Sequence, residues 1–280
     1  MSMNLESIST GATIRPPRIL LVGAEKIGKS SFACGTTFEN NRVTGAGINK
    51  PIVISVKGEE GVDGLNVSKF PTANSFDDVV EALVTLYKED HEFKTVVLDS
   101  ASALEPLIFD AVCKDAGKTS IEDVGGGYGK GYLLALEKWR KLCNGLDALR
   151  ADKGMSSVII GHIKIKRFND PNGESFDQYQ FDVNEKANAL ISRWADVSLF
   201  CNTKVAVKKE EKGFGQTKNR AIDTTGGQRF LFTQKRPSHP GGGRGVYGQL
   251  PYELPLEWTA FENAVASVAA SYNETKKEEK

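Results

Sequence analysis

Short apolar runs recur along the first two hundred residues of the chain. Residues 19–22, 51–56, 95–98, 157–160 and 196–200 are such runs, and each predicts a buried β-strand. A polar or glycine-containing stretch follows each run. The pattern is typical of strands that lie inside a sheet covered on both faces.

Helical spacing of apolar residues fills the intervals between these runs. Ser75 precedes one such stretch, a second follows Tyr132, and a third covers residues 184–194. Repeated strand–helix units predict an α/β fold with a mostly parallel sheet flanked by helices.

The pattern changes after residue 201. Residues 205–207, 221–222 and 229–232 are short apolar segments separated by glycines, which predicts C-terminal antiparallel hairpins that extend the sheet. Residues 237–255 are rich in glycine and proline and predict a loop that orders on contact. The predicted divisions are an N-terminal extension (1–14), one domain (15–255, with a core of 15–201 and a hairpin extension of 202–255), a helix (256–272) and a disordered tail (273–280).

Composition narrows the class of protein. A chain of 280 residues with 40% hydrophobic content can bury a full core, and no apolar run is long enough to cross a membrane. We expect a cytoplasmic protein with no membrane partner. The scattered cysteines predict buried free thiols rather than disulfides or a zinc site: Cys34, Cys113, Cys143 and Cys201. Because 36 basic residues balance 36 acidic ones, any nucleic-acid binding must use a local patch.

The strongest motif is GAEKIGKS at residues 23–30, which fits G-x-x-x-x-G-K-[ST] and follows the first apolar run. Its glycines let backbone N–H groups converge on phosphates, and Lys29 is placed to reach the β and γ oxygens of ATP. Ser30 is predicted to hold Mg²⁺ through its hydroxyl. The predicted nucleotide-binding residues are Gly23, Ala24, Glu25, Lys26, Ile27, Gly28, Lys29, Ser30 and Ser31.

Acidic residues and a histidine follow other strands of the predicted sheet. Asp99 ends the third run and is predicted to be the second Mg²⁺ contact, with a helix N-cap as the alternative. Glu59 and Glu60 follow the second run, and either could activate water, unless they form a solvated acidic turn. His162 ends the fourth run, where it either contacts the γ-phosphate or simply ends the strand.

Two stretches combine basic and aromatic residues, as single-stranded DNA sites do. The first contains Lys164, Lys166, Arg167 and Phe168, although a β-hairpin with a solvated face explains that pattern as well. The second is a glycine-rich loop at residues 125–130 that carries Tyr128 and Lys130.

Taken in order, the motifs resemble the RecA-like ATPase core, and more closely the phage-encoded RecA-like proteins of single-strand annealing and recombination. The resemblance covers residues 15–255. It is carried by GAEKIGKSS (23–31), KGEEG (57–61), VVLDS (96–100), GYGKGY (127–132), IIGHIK (159–164), RWADVSLF (193–200) and RFLFTQKRP (229–237). It implies a RecA-like core and a catalytic base after the second strand, which by position is Glu60.

The resemblance also implies an oligomer, a ring or a filament, with ATP at subunit interfaces and a basic residue supplied by the neighbouring subunit. That role would fall to Arg244 or to Lys235 and Arg236. The familiar basic cluster before a Leu-Pro pair is replaced here by Gly242-Gly243-Arg244 before Leu250-Pro251.

The implied function is a DNA-stimulated ATPase of phage recombination, acting in the host cytoplasm on single-stranded DNA. A ring-shaped motor for nucleic-acid translocation or packaging would use the same core. A nucleotide-switched binding module with little hydrolysis is the third possibility, because no carboxylate directly follows Asp99.

Overall fold

Strands and helices alternate along the protein, whose computed structural model describes residues 4, 8, 15–39, 42–171, 173–212, 216–223 and 225–278. Apart from residues 4 and 8, the predicted extension 1–14 lies outside this range. The strands are β1 Arg18–Gly23, β2 Thr37–Glu39, β3 Arg42–Gly45, β4 Pro51–Ser55, β5 Ser68–Lys69, β6 Thr95–Asp99, β7 Ser156–Gly161, β8 Ile163–Phe168, β9 Phe176–Phe181, β10 Val197–Thr203, β11 Val205–Lys212, β12 Gln216–Asp223, β13 Arg229–Phe232, β14 Gly242–Gly243 and β15 Glu253–Pro255. The helices are α1 Lys29–Ala33, α2 Phe76–Lys88, α3 Ala101–Ala116, α4 Lys130–Asp152, α5 Glu185–Trp194 and α6 Trp258–Glu278, with 3₁₀ segments at Ile121–Gly126 and Gly245–Gln249.

The main sheet places β1 at its centre. Its strand order is β15-β13-β10-β1-β7-β6-β4-β5, and β14 also pairs with β10. The strands from β10 to β5 are parallel, whereas β13 and β14 pair antiparallel with β10, and β15 pairs antiparallel with β13. The predicted α/β fold class is therefore confirmed: a mostly parallel sheet, flanked by helices, with antiparallel strands from the C-terminal part of the chain.

Not every C-terminal hairpin extends the sheet. Strand β13 does so, but within the described residues β11 and β12 pair with each other as a separate two-stranded sheet. The glycine- and proline-rich stretch 237–255 contains β14, the 3₁₀ segment Gly245–Gln249 and β15, and it packs through Val246, Tyr247 and Leu250.

Buried apolar residues on the two faces of the sheet form the core. In β1, Leu20 and Val22 face the layer that contains α2 to α5, whereas Ile19 and Leu21 face the layer that contains α1 and α6. This alternation follows from the two-residue period of a strand. All four cysteines are buried free thiols, as predicted.

Local sequence explains where the main helices begin and end. Ser75 caps α2 through a capping box with Asp78, and Asn184 caps α5. The final helix continues beyond residue 272, its predicted end. In the described part of the chain, no helix has the length and apolar content needed to span a membrane.

Candidate active site

We call the edge of the sheet at which the parallel strands end the carboxyl edge. A cleft of about 630 Å³ opens there. Open α/β sheets bind ligands at this edge. The cleft is lined by six residues of the predicted phosphate loop, among them Lys29 and Ser30, and by Glu59 and Glu60 in the loop after β4. Asp99 at the end of β6, His162 after β7 and Arg229 at the start of β13 also line the cleft.

The phosphate loop joins β1 to α1. Gly28 adopts a φ of 108°, a conformation that side chains other than glycine rarely take. Lys29 is 6% exposed, and its Nζ donates hydrogen bonds to the carbonyl oxygens of Gly23 (2.9 Å) and Ala24 (2.7 Å). Burial lowers the pKa of Lys29, although the nearby Asp99 and Glu59 oppose the shift. The lysine is thus held at the base of the loop.

Ser30 and Asp99 meet across the cleft. The Ser30 hydroxyl donates a hydrogen bond of 2.7 Å to Oδ2 of Asp99, which ends β6 and is 3% exposed. Burial raises the pKa of Asp99. Gly61 allows this approach, because a Cβ at that position would lie 2.6 Å from the Ser30 hydroxyl. Hydroxyl and carboxylate oxygens are ligands that Mg²⁺ accepts in proteins, so this pair fits the ion.

Glu59 lies inside the cleft and is held by two partners. The Ser100 hydroxyl donates to Glu59 Oε1 at 2.5 Å, and Nε2 of His162 lies 2.8 Å from the same oxygen. Burial acts to raise the pKa of Glu59, but the hydrogen bonds from His162 and Ser100 outweigh it and lower that pKa. The carboxyl group is therefore kept ionised.

Glu60, which the resemblance indicated as the base, lies exposed at the rim of the same cleft. The side chain of Glu59 is 17% exposed and points to the His162 ring. Adjacent residues in a turn face different surroundings, and the sequence alone does not show which of them turns inward.

His162 connects this cluster to the neighbouring strand. It follows β7, and its backbone N–H donates to the Ser102 hydroxyl at 3.0 Å. The ring's Nδ1 is buried and has no hydrogen-bond partner within the described structure. The structure therefore gathers Lys29, Ser30, Asp99, Glu59 and His162, which the sequence singled out separately, into one site.

Arg229 is a residue of the cleft that sequence reasoning missed. It begins β13, and its Nη1 donates a hydrogen bond of 3.2 Å to the carbonyl oxygen of Ile27 in the phosphate loop. Its guanidinium also lies 5.3 Å from the centre of the Phe38 ring. The motif RFLFTQKRP begins with this arginine but gives it no role in the site, because only the antiparallel pairing of β13 with β10 brings it to the loop.

The structure places Arg244 away from this cleft. It follows β14, which pairs with the beginning of β10 and so lies at the amino edge, where the parallel strands start. Its Nη2 donates to the carbonyl oxygens of Arg193 and Ala195, the latter at 2.8 Å. The other two candidates also lie elsewhere: Arg236 stacks on Tyr252 at 4.2 Å, and Lys235 lines a separate cleft.

The first DNA candidate is a β-hairpin formed by β8 and β9, in which acidic groups neighbour each cation. Lys164 lies 3.1 Å from Asp182, and Arg167 lies 3.7 Å from Asp177. Lys166 pairs with Glu185. Phe168 packs on Phe176 across the hairpin, with ring centres 5.3 Å apart.

The second DNA candidate is the loop before α4. Gly125, Gly126, Gly127, Tyr128 and Gly129 all have positive φ, and Tyr128 is fully exposed. Helix α4 ends just before β7 begins at the amino edge, so the helix starts, at Lys130, on the side of the carboxyl edge. The hairpin and this loop therefore project from the same side of the sheet as the cleft.

Comparison with known proteins shows which family profile the chain matches. A family profile described as "AAA domain" matches residues 15–245. No curated protein matches the chain. Among solved structures, the chain is similar to the crystal structure of the RadB recombinase, with 15% identity and a TM-score of 0.40 over 78% of this chain and 87% of that one.

Proposed function

The chain belongs to the AAA domain family, and on that premise we propose that it binds and hydrolyses ATP in the cleft at the carboxyl edge. One observation carries the proposal: Ser30, Asp99, Glu59 and His162 converge beside the phosphate loop. This is the set of oxygen ligands and water-orienting groups that phosphoryl transfer to water requires.

Each side chain has a role that its position supports. Lys29 holds the β and γ oxygens of the substrate and neutralises charge that develops there. Ser30 and Asp99 would hold Mg²⁺, which would supply positive charge to stabilise the phosphates.

We assign the water-activating role to Glu59 rather than Glu60. Glu59 is kept ionised by hydrogen bonds from Ser100 and His162. It lines the same cleft as Asp99. An oriented carboxylate accepts the proton of the attacking water or fixes the water in line with the γ-phosphate. His162 positions Glu59 and is placed to sense the γ-phosphate.

We further propose that ATP turnover is coupled to single-stranded DNA, in recombination of the annealing or strand-exchange kind. The exposed Tyr128 beside Lys130 supports this, since aromatic rings stack on bases and cations neutralise phosphates. The β8–β9 hairpin lies on the same side, although its cations already have acidic neighbours. The resemblance to phage-encoded annealing ATPases supports an oligomer, with Lys235 and Arg236 as candidate contacts to a neighbouring subunit.

The test is steady-state ATP hydrolysis with and without a poly(dT) oligonucleotide, together with measured DNA affinity. We expect turnover that DNA stimulates and that Lys29→Ala abolishes. Tyr128→Ala should weaken DNA binding by about 1–3 kcal/mol, the usual contribution of a stacked base. Tyr87→Ala is the matched control, because Tyr87 is an exposed tyrosine in the last turn of α2.

Each other outcome removes a defined part of the proposal. Equal turnover with and without DNA, and no DNA binding, would remove the DNA role and leave an ATPase. Nucleotide binding that depends on Lys29, without any turnover, would favour a nucleotide-switched binding module.

A further inference from the structure

A second cleft adjoins the phosphate loop on the side away from the carboxylates. Its volume is about 230 Å³, and Phe38, Gln228, Arg229, Pro255, Leu256 and Glu257 line it. We call it the β13 cleft. Arg229 lines both clefts and is the residue that they share.

The order of the strands gives the bound nucleotide a direction. Asp99, Glu59 and His162 follow β6, β4 and β7, which all lie on one side of β1. Strands β10 and β13 lie on the other side. A nucleotide with its γ-phosphate and Mg²⁺ at the carboxylates must therefore extend its other end, the ribose and base, toward β10 and β13.

The surfaces on that side suit a flat, aromatic ligand. The Arg229 guanidinium is held between the Ile27 carbonyl and the Phe38 ring, at 3.2 Å and 5.3 Å. Planar guanidinium and phenyl groups both stack on base faces. Pro255 and the buried Leu256 supply apolar contact in the same cleft.

Polar groups at the margin of the β13 cleft provide the means to recognise a base edge. Gln228 offers an amide with both donor and acceptor atoms, and Glu257 offers a carboxylate acceptor. Polar groups placed beside aromatic and apolar side chains are typical of small-ligand sites.

We propose that the β13 cleft is the nucleobase subsite of this protein, in which the base of ATP stacks between Phe38 and the apolar wall formed by Pro255 and Leu256. Arg229 lies at the junction between the subsite and the phosphate loop. This inference rests on the proposed ATP site and adds which residues recognise the base.

The experiment compares two ligands that share phosphates but differ in the base. Isothermal titration measures the affinity of Mg·ATP and of Mg·tripolyphosphate for the wild type, Phe38→Ala, Phe38→Tyr and Phe93→Ala. Phe93 is a matched control, because it is also partly buried but precedes β6 at the amino edge.

We expect Phe38→Ala to weaken Mg·ATP about tenfold or more and to leave Mg·tripolyphosphate unchanged, because the stacking partner is lost and the phosphate contacts remain. Phe38→Tyr should retain the affinity for Mg·ATP, and Phe93→Ala should leave the affinity for both ligands unchanged.

Two results would overturn the subsite. One is unchanged affinity of Phe38→Ala for Mg·ATP, and the other is an equal loss for both ligands, which would place Phe38 in phosphate binding or in the fold. Either result leaves the ATP site standing if Lys29→Ala still abolishes binding. Failure of the wild type to bind Mg·ATP at all would instead remove the proposed function.

Discussion

Glu59 and Glu60 show how much one peptide step changes the chemistry of a carboxylate. Glu59 accepts hydrogen bonds inside the cleft, whereas Glu60 is exposed at its rim. Hydrogen bonds to the ionised form lower a carboxyl pKa, even against the cost of burial. Only the inward residue therefore combines an ionised state with a fixed orientation.

The contact between His162 and Glu59 leads to a pH prediction. His162→Ala removes a hydrogen bond that lowers the pKa of Glu59, so that pKa should rise toward and above its ordinary value. Because the ionised carboxylate is the active form, the acidic limb of the kcat profile should move to higher pH. The measurement is kcat against pH.

His91→Ala provides the control for this profile. His91 lies at the amino edge, with its Nε2 3.0 Å from the Leu86 carbonyl oxygen. Its replacement should therefore leave the pH profile of kcat unchanged. An acidic limb that stays where it is in His162→Ala would contradict the coupling between His162 and Glu59.

At the scale of single residues, the sequence predicted the members of the cleft that belong to local motifs. Lys29 and Ser30 lie in the phosphate loop, and Asp99 ends an apolar strand, so spacing alone marks them. Arg229 is 202 residues from its partner Ile27, and only the tertiary pairing of strands brings the two together. The choice between Glu59 and Glu60 depends on side-chain direction within one turn, which no periodicity encodes.

At the scale of elements, close packing fixes the start of α4 and the loop that carries Tyr128. A Cβ at Gly131 would lie 2.1 Å from the Ile121 carbonyl oxygen, which belongs to the 3₁₀ segment Ile121–Gly126. The absence of a side chain at Gly131 lets this segment pack on the helix.

Gly131→Ala should lower the free energy of unfolding by about 1–3 kcal/mol, the usual cost of overpacking against a backbone that cannot yield. Gly145→Ala is the control within the same helix. There the added methyl meets only the end of the Leu83 side chain, at 3.0 Å, and alanine favours the helix.

Urea denaturation of the two variants measures this difference. Equal unfolding midpoints for Gly131→Ala and Gly145→Ala would show that the 3₁₀ segment shifts without cost and would contradict the packing argument.

Elements with strong periodic patterns were predictable, and those defined by their partners were not. Ser75 and Asn184 mark helix starts in the sequence, and both cap helices in the structure. Strands β14 and β15 consist of short segments within a glycine- and proline-rich stretch. They are strands only because β10 and β13 provide partners, so composition indicated a loop there.

At the scale of the whole molecule, one ion cluster ties the sheet to its helical layer at the amino edge. Asp196 accepts hydrogen bonds from the Arg18 side chain and backbone, and it also contacts Arg150 of α4 at 2.8 Å. Burial acts to raise the pKa of Asp196, but the bonds from Arg18 outweigh it, so the net shift is downward.

Asp196→Asn should destabilise the fold by about 3 kcal/mol at neutral pH, because it leaves two arginines without their common partner. A carboxyl group with a lowered folded-state pKa stabilises above its unfolded value of about 3.9, and that contribution disappears as pH falls through the folded value. The difference between wild type and variant should therefore shrink at acidic pH.

Urea denaturation as a function of pH tests this, with Asp90→Asn as the control. Asp90 is exposed and lies 3.9 Å from Lys153, so its replacement should have little effect. A loss of unfolding free energy in Asp196→Asn that stays constant with pH would contradict an ionic origin of this stabilisation.

The central claim is that the cleft at the carboxyl edge hydrolyses ATP with Glu59 as the group that activates water. The most direct measurement is kcat for ATP hydrolysis, with nucleotide affinity determined on the same samples, in Glu59→Gln and Glu60→Gln. We predict that Glu59→Gln binds ATP normally and loses about a hundredfold or more in kcat, while Glu60→Gln stays close to wild type. Near-normal turnover in Glu59→Gln, with the loss in Glu60→Gln instead, would contradict the account.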